Sequence, residues 1–283
     1  MTPDQATPDR RDRLRRRVRS RRAGVAAALA VAAALLAVFI LLAVASGPDS
    51  ALSAWDRRVL DAFIAWRTSG RSQFFWVMTL LGNVAVLAAL SVSAVVLLVV
   101  WGKRARAVLV AVGMSIGWVI SEAAKLSVGR VRPPAADALI ALPSSASMPS
   151  GHAFNTLVFL GLLVYLVFRW RNGRVAAGVA GVAALAAAVV VAGLIGVSRA
   201  YLGVHWLSDV LGGWSLGGAW LAVLLGAAVP LAGGRGRQWL PALLSARPPA
   251  RKGVKVAVVV AVVILCVAAY ILTAQADPLL ADL

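Results

Sequence analysis

The chain has 283 residues, of which 61% are hydrophobic and 14% charged, and it carries a formal net charge of +18. Soluble domains hold about 45–50% apolar and about 25% charged residues, so the composition excludes an ordinary soluble domain and points to membrane spans. The excess of base does not mark a nucleic-acid surface, because the basic residues gather in short clusters between apolar runs, as they do where loops orient a membrane protein.

Residues 1–22 are polar and rich in arginine, with Pro3 and Pro8 and no periodicity. They are expected to form a basic cytoplasmic tail without regular structure, drawn to anionic lipid head groups. The apolar run Ala23–Ala45 is too long for the apolar region of a cleaved signal and long enough to cross lipid, so it predicts an uncleaved first span. Residues 46–75 are mixed: Leu52, Trp55, Val59, Phe63 and Trp66 recur at helical spacing, with Asp56, Arg57, Arg58 and Asp61 between them. This stripe predicts an amphipathic helix, either lying in the outer interface or packed on the rest of the protein.

Span two is expected near Phe75–Trp101, followed by a basic turn at Lys103, Arg104 and Arg106, and span three near Ala107–Ala124. Glu122 stands three residues before Lys125, on the same helical face; it is either a structural partner of Lys125 or Arg130 or a functional group at the span end. Residues 125–150 read as a loop, with Pro133, Pro134, Pro143 and Pro149. Span four is expected near His152–Phe168, span five near Val175–Val197 and span six near His205–Leu231. A basic loop, 233–255, then leads to a seventh span near Val256–Thr273. The lone cysteine, Cys266, sits mid-run as an apolar filler and leaves no internal disulfide.

The expected architecture is therefore an all-α polytopic transmembrane bundle of about seven spans, five to six of them forming the core, with an outer interfacial amphipathic helix. The divisions are the tail 1–22, the first span and amphipathic helix 23–74, a core 75–232, the basic loop 233–255 and an extra span with a short tail 256–283. With the N-terminus inside, the four inside segments are all basic, and the loops at 125–150 and 198–204 share the outer side.

Those loops carry the chemistry. Lys125, Arg132 and Arg199 are cations at a membrane edge, costly unless an anion meets them. Arginine offers phosphate a planar fork and lysine a point charge. Ser150 and Gly151 precede a helix whose first N–H groups favour an anion, and Gly151 permits close backbone approach. His205 and Asp209 are four residues apart, placed together on one face at the start of span six. A carboxylate that holds one ring nitrogen leaves the other free to attack, and His152 is available as the acid for a leaving oxygen. Taken singly, each histidine is more readily a cap and each arginine a topology signal; the set is what carries the reading.

Lys125, then Arg132–Pro133; Pro149–Ser150–Gly151–His152; and Ser198–Arg199, His205, Asp209: this three-part arrangement resembles the signature of the type 2 phosphatidic acid phosphatase (PAP2) superfamily of membrane lipid phosphate phosphatases. All eleven fixed positions are present, and the resemblance covers roughly residues 75–230. It implies a two-step phosphoryl transfer with no metal and no cofactor. His205 would form a phosphohistidine, Asp209 would orient it, and His152 would protonate the leaving group and then activate water. Lys125, Arg132, Ser150, Gly151 and Arg199 would hold the phosphoryl oxygens. The substrate expected is a lipid phosphate or pyrophosphate facing the outer side of a bacterial plasma membrane: undecaprenyl pyrophosphate, phosphatidylglycerol phosphate or phosphatidic acid. A phosphotransferase would use the same residues. An anion transporter is disfavoured, because the mid-span stretches hold almost nothing ionisable. A family departure is the seventh span, since members commonly have six.

Overall fold

The structure is a computed structural model that describes residues 10–170 and 175–231, and Ala268 alone beyond them; side chains are described over 18–168 and 179–228. The basic loop 233–255 and, Ala268 apart, the seventh span lie outside the described residues. In chain order the helices are α1 (Arg10–Ala45), α2 (Ala51–Ala65), α3 (Ser69–Leu81), α4 (Val84–Val100), α5 (Arg104–Val128), α6 (Gly151–Trp170), α7 (Val175–Tyr201) and α8 (Leu207–Leu231). A single turn of 3₁₀ helix, Ala135–Asp137, interrupts the α5–α6 loop. Among the described residues five helices are long and apolar enough to cross a membrane, or six if α3 and α4 form one bent span.

Three boundaries differ from expectation. Helix α1 begins at Arg10, inside the expected unstructured tail, because arginine is a good helix former and the stretch runs on into the apolar span. Span two is two helices bent by 43°. The Asn83 side chain accepts the Ala85 N–H at 2.8 Å and starts α4 afresh, while Thr68 caps α3 well before Phe75. Helix α8 starts at Leu207, so His205 precedes the helix instead of standing in its first turn.

Helix α8 is the centre of the packing: α1 and α6 lie along it, and α5, α7 and α2 also touch it. The main core joins Phe39, Met148, Phe154, Val158, Leu162, Leu216 and Leu224. Gly213 lets α8 reach the start of α6, since a Cβ there would stand 2.6 Å from the Ser150 carbonyl oxygen. Helix α2 packs on α7 and α8 with Asp56 and Leu60 buried. Its end is pinned by an aromatic cluster: the Phe75 and Tyr201 rings lie 4.3 Å apart, with Trp66 edge-on to Tyr201 at 6.0 Å. Many large apolar side chains remain exposed along the spans, among them Leu41, Val44, Val119 and Val189, as contact with lipid chains requires.

Candidate active site

The chain direction brings the three motif segments to one end of the bundle. Lys125 is in the last turns of α5 and Gly151 opens α6; Arg199 is in the last turn of α7, and Asp209 is in the first turn of α8. Two connections, α5–α6 and α7–α8, therefore meet at the same end. Gly129 turns the chain out of α5 with φ 63°, a left-handed conformation that suits glycine, and its N–H caps the Lys125 carbonyl. The loops are then sewn together by backbone bonds, Ser147 N to Arg130 O at 2.8 Å and Ser150 N to Asp209 O at 3.0 Å.

His205 is buried, and its two ring nitrogens meet different groups. Nδ1 faces Asp209 Oδ2 at 3.4 Å and Ser147 Oγ at 3.5 Å. Nε2 lies 3.1 Å from Arg132 Nη1. A guanidinium only donates, so Nε2 accepts and the proton belongs on Nδ1, towards the carboxylate. Burial pushes the His205 imidazole down, Asp209 pulls it up, and Arg199 and Arg132 push it down, which together leave it at about 4. The ring is neutral at neutral pH, with its Nε2 lone pair turned towards the cations.

Asp209 does not bend freely. Its Oδ1 accepts from Arg130 Nη1 at 2.6 Å, and its Oδ2 from the Trp206 N–H at 2.9 Å and from the Ser147 hydroxyl. The bond from Trp206 N also explains why α8 begins at Leu207: the carboxylate of the first turn closes back on the residue before the helix.

Arg132 is held by four acceptors besides His205. Its Nε and Nη2 donate to the Ser145 and Ala146 carbonyls, Nη2 also reaches Ser145 Oγ, and Nη1 donates to the Val204 carbonyl at 2.7 Å. Burial lowers its pKa from the usual arginine value, while Asp209 and Glu122 raise it. Arg199 donates to Thr79 Oγ1 at 2.6 Å, so α3 supplies a wall of the site. Lys125 Nζ bonds Glu122 at 2.7 Å and lies 3.4 Å from where a Cβ on Gly151 would be. Ser150 Oγ is buried with no hydrogen-bond partner, beside the first N–H groups of α6. His152 stands in the first turn of α6, and a Cβ on Gly82 would lie 3.1 Å from its ring. A cleft of about 440 Å³ opens beside the cluster, lined by Arg130, Arg132, Pro133, Leu142 and Ser145.

Every candidate residue is thus at this end. The Ser198 hydroxyl bonds the Ile195 carbonyl in its own helix. Glu122 partners Lys125, and Arg130 partners carboxylates elsewhere. Four groups that touch the site were not singled out from sequence: Ser147, Thr79, Arg130 as a holder of Asp209, and Asp56 behind it. Only Ser147 carried a local signal, its place three residues before Ser150. Among the described residues no cluster of three or more His, Cys, Asp or Glu could hold a metal ion.

Residues 104–229 match the PAP2 superfamily. Phosphatidylglycerophosphatase B of Bacillus subtilis (strain 168) is 30% identical over 185 residues, which cover 64% of this chain and 86% of that protein. A crystal structure, described as the first transmembrane PAP2 type phosphatidylglycerolphosphate phosphatase from Bacillus subtilis, is similar with a TM-score of 0.63 at 27% identity. The match covers 72% of this chain and 98% of that one. On sequence, on fold and on the motif residues gathered at one end of its helices, the chain belongs to the PAP2 superfamily and is a membrane phosphatase.

Proposed function

We propose that this protein hydrolyses a lipid phosphate, of the phosphatidylglycerol phosphate kind, through a phosphohistidine on His205. The observation that carries the reading is the division of labour at His205. Nδ1–H faces Asp209 and Nε2 is unprotonated beside Arg132. Nε2 attacks phosphorus as the bond from phosphorus to the lipid oxygen breaks, and His152 gives that oxygen its proton. Water, losing a proton to His152, then cleaves the N–P bond and releases inorganic phosphate. Lys125, Arg132 and Arg199, with the Ser150 hydroxyl and the N–H groups at Gly151, hold the phosphoryl oxygens as charge spreads over them. The unpartnered Ser150 hydroxyl fits this role, since a buried polar group without a bond is costly until a ligand meets it.

A lipid substrate suits the setting, because its chains stay in the bilayer while its head reaches the cations. The names of the two relatives favour phosphatidylglycerol phosphate; phosphatidic acid and undecaprenyl pyrophosphate carry the same reacting group. The basic turn at Lys103, Arg104 and Arg106 stands at the opposite end of α5 from Lys125, which supports an N-terminus inside the bacterial plasma membrane and a site on its outer side. The phosphatase core then spans about residues 75–232.

The test is phosphate release from these three lipids by the purified chain, with and without a chelator and beside His205→Ala. Release from at least one lipid, indifferent to chelator and lost in the variant, is expected. A strict magnesium requirement would contradict the cations as the phosphate clamp, and transfer to an alcohol in place of release would make the protein a phosphotransferase.

A further inference from the structure

Behind Asp209 the polar contacts continue to a residue outside the matched stretch 104–229. Asp56, on α2, is buried. Its Oδ1 accepts the Ser208 N–H at 2.9 Å, and its Oδ2 accepts from the Ser208 hydroxyl and from Arg130 Nη2 at 2.8 Å. Arg130 Nη1 in turn donates to Asp209 Oδ1 and Ser208 Oγ, both at 2.6 Å. One guanidinium therefore bridges two buried carboxylates, and the whole group carries a net charge of one negative unit.

That count matters to the reaction. When Nε2 of His205 takes a phosphoryl group while Nδ1 keeps its proton, the ring becomes positive. With Asp56 neutral, Arg130 alone would cancel Asp209, and the positive ring would face a group of zero net charge. With Asp56 ionised, half of Arg130 is engaged elsewhere and Asp209 keeps its charge for the ring. Stability gives no comparable reason for three buried charges, since apolar replacements of such triads are often neutral or stabilising. We propose that Asp56 is a positioning residue: it engages the Arg130 charge so that Asp209, itself aimed by Ser147 and the Trp206 N–H, keeps its own charge for His205. This rests on His205 as the attacking group.

The test uses the purified full chain in detergent, with phosphatidylglycerol phosphate as probe, and compares Asp56→Asn with the double variant Asp56→Asn/Arg130→Gln. The single variant leaves zero net charge; the double restores one negative unit. Asp56→Asn is expected to lower kcat by about 10- to 100-fold, the usual cost of losing an orienting partner, with KM little changed. The double variant is expected to be faster than the single one. Wild-type kcat in Asp56→Asn, or a double variant slower than the single, would overturn the proposal, since lost packing alone accumulates. The proton NMR signal of His205 Nδ1–H supplies a readout that needs no turnover. It is expected to move upfield in Asp56→Asn as its bond to Asp209 weakens and to return in the double variant; an unmoved signal would also overturn the proposal. If the wild type releases no phosphate from this lipid, the substrate reading fails and the NMR comparison still decides the role of Asp56. Should Asp56→Asn not elute as a folded species, the double variant is compared with wild type: a His205 Nδ1–H signal at the wild-type position is expected, and one moved upfield would overturn the proposal.

Discussion

The two ends of the bundle use basic residues in different ways. At the α4–α5 turn, Lys103 is exposed, Arg104 and Arg106 are half-buried, and all three flank the apolar run of α5. At the other end Arg130 and Arg199 are buried, and each is bonded to groups from elements distant in sequence, Asp56, Asp209 and Thr79. A charge of the first kind keeps part of its hydration beside an apolar run. A charge of the second kind has given up hydration and is held by fixed partners. Burial, not residue type, separates the two ends.

The largest test of this contrast removes the group at which the buried end converges. His205→Ala is expected to lower phosphate release by at least about 10⁴-fold while the protein still inserts and elutes as the wild type does. Residual turnover near the wild-type rate would erase the distinction between the ends. Next comes the cation with the most bonds. Arg132→Lys keeps the charge and loses the fork that bonds Ser145, Ala146 and Val204, and a loss of roughly 100-fold in kcat is expected from a steady-state assay. An unaffected kcat would mean that point charge is sufficient.

Acid sharpens the contrast further. The His205 pKa is about 4 in the folded chain and about 6.5 in the unfolded one. Between those values the unfolded chain takes up a proton that the folded chain refuses. The contribution is therefore constant above about pH 6.5, and stability falls as pH falls from there towards 4. The thermal midpoint of the wild type should drop over this window more than that of His205→Gln. Nitrogen-15 labelling should likewise show a neutral His205 ring at pH 5.5, and a charged ring there would contradict the burial argument.

Smaller effects are expected at the wet edge. Glu122→Gln loosens a pair that is partly open to solvent, with the glutamate side chain 36% exposed, so KM should change by no more than about threefold. Replacing Lys103, Arg104 and Arg106 together with glutamine should leave turnover per inserted molecule within about twofold, since surface substitutions rarely cost more. A larger fall would show that the α4–α5 turn reaches the site.

Much of the site was legible because motif chemistry is local. Pro149–Ser150–Gly151–His152 is contiguous, and His205 and Asp209 are close enough in sequence to be read as a pair. The Glu122–Lys125 bond follows from helical spacing alone. The helices themselves followed from apolar length, but their ends did not. The Asn83 cap that bends span two and the Trp206–Asp209 closure that starts α8 are single hydrogen bonds that apolar length does not reveal. Least legible was Asp56, which reaches Arg130 across 74 residues and Ser208 across 152. On α2 it looked like any polar residue of an amphipathic stripe, and only the packing of that helix on α7 and α8 buries it.

The most direct measurement is to trap the covalent intermediate. The purified chain would be mixed with a lipid phosphate labelled in its phosphoryl group, quenched in base within one turnover, and digested for peptide mapping. Acid-labile, base-stable label on the peptide that holds His205, absent from His205→Ala, is the predicted result. Label on Ser150 or any other side chain, or label that persists in the variant, would contradict the account.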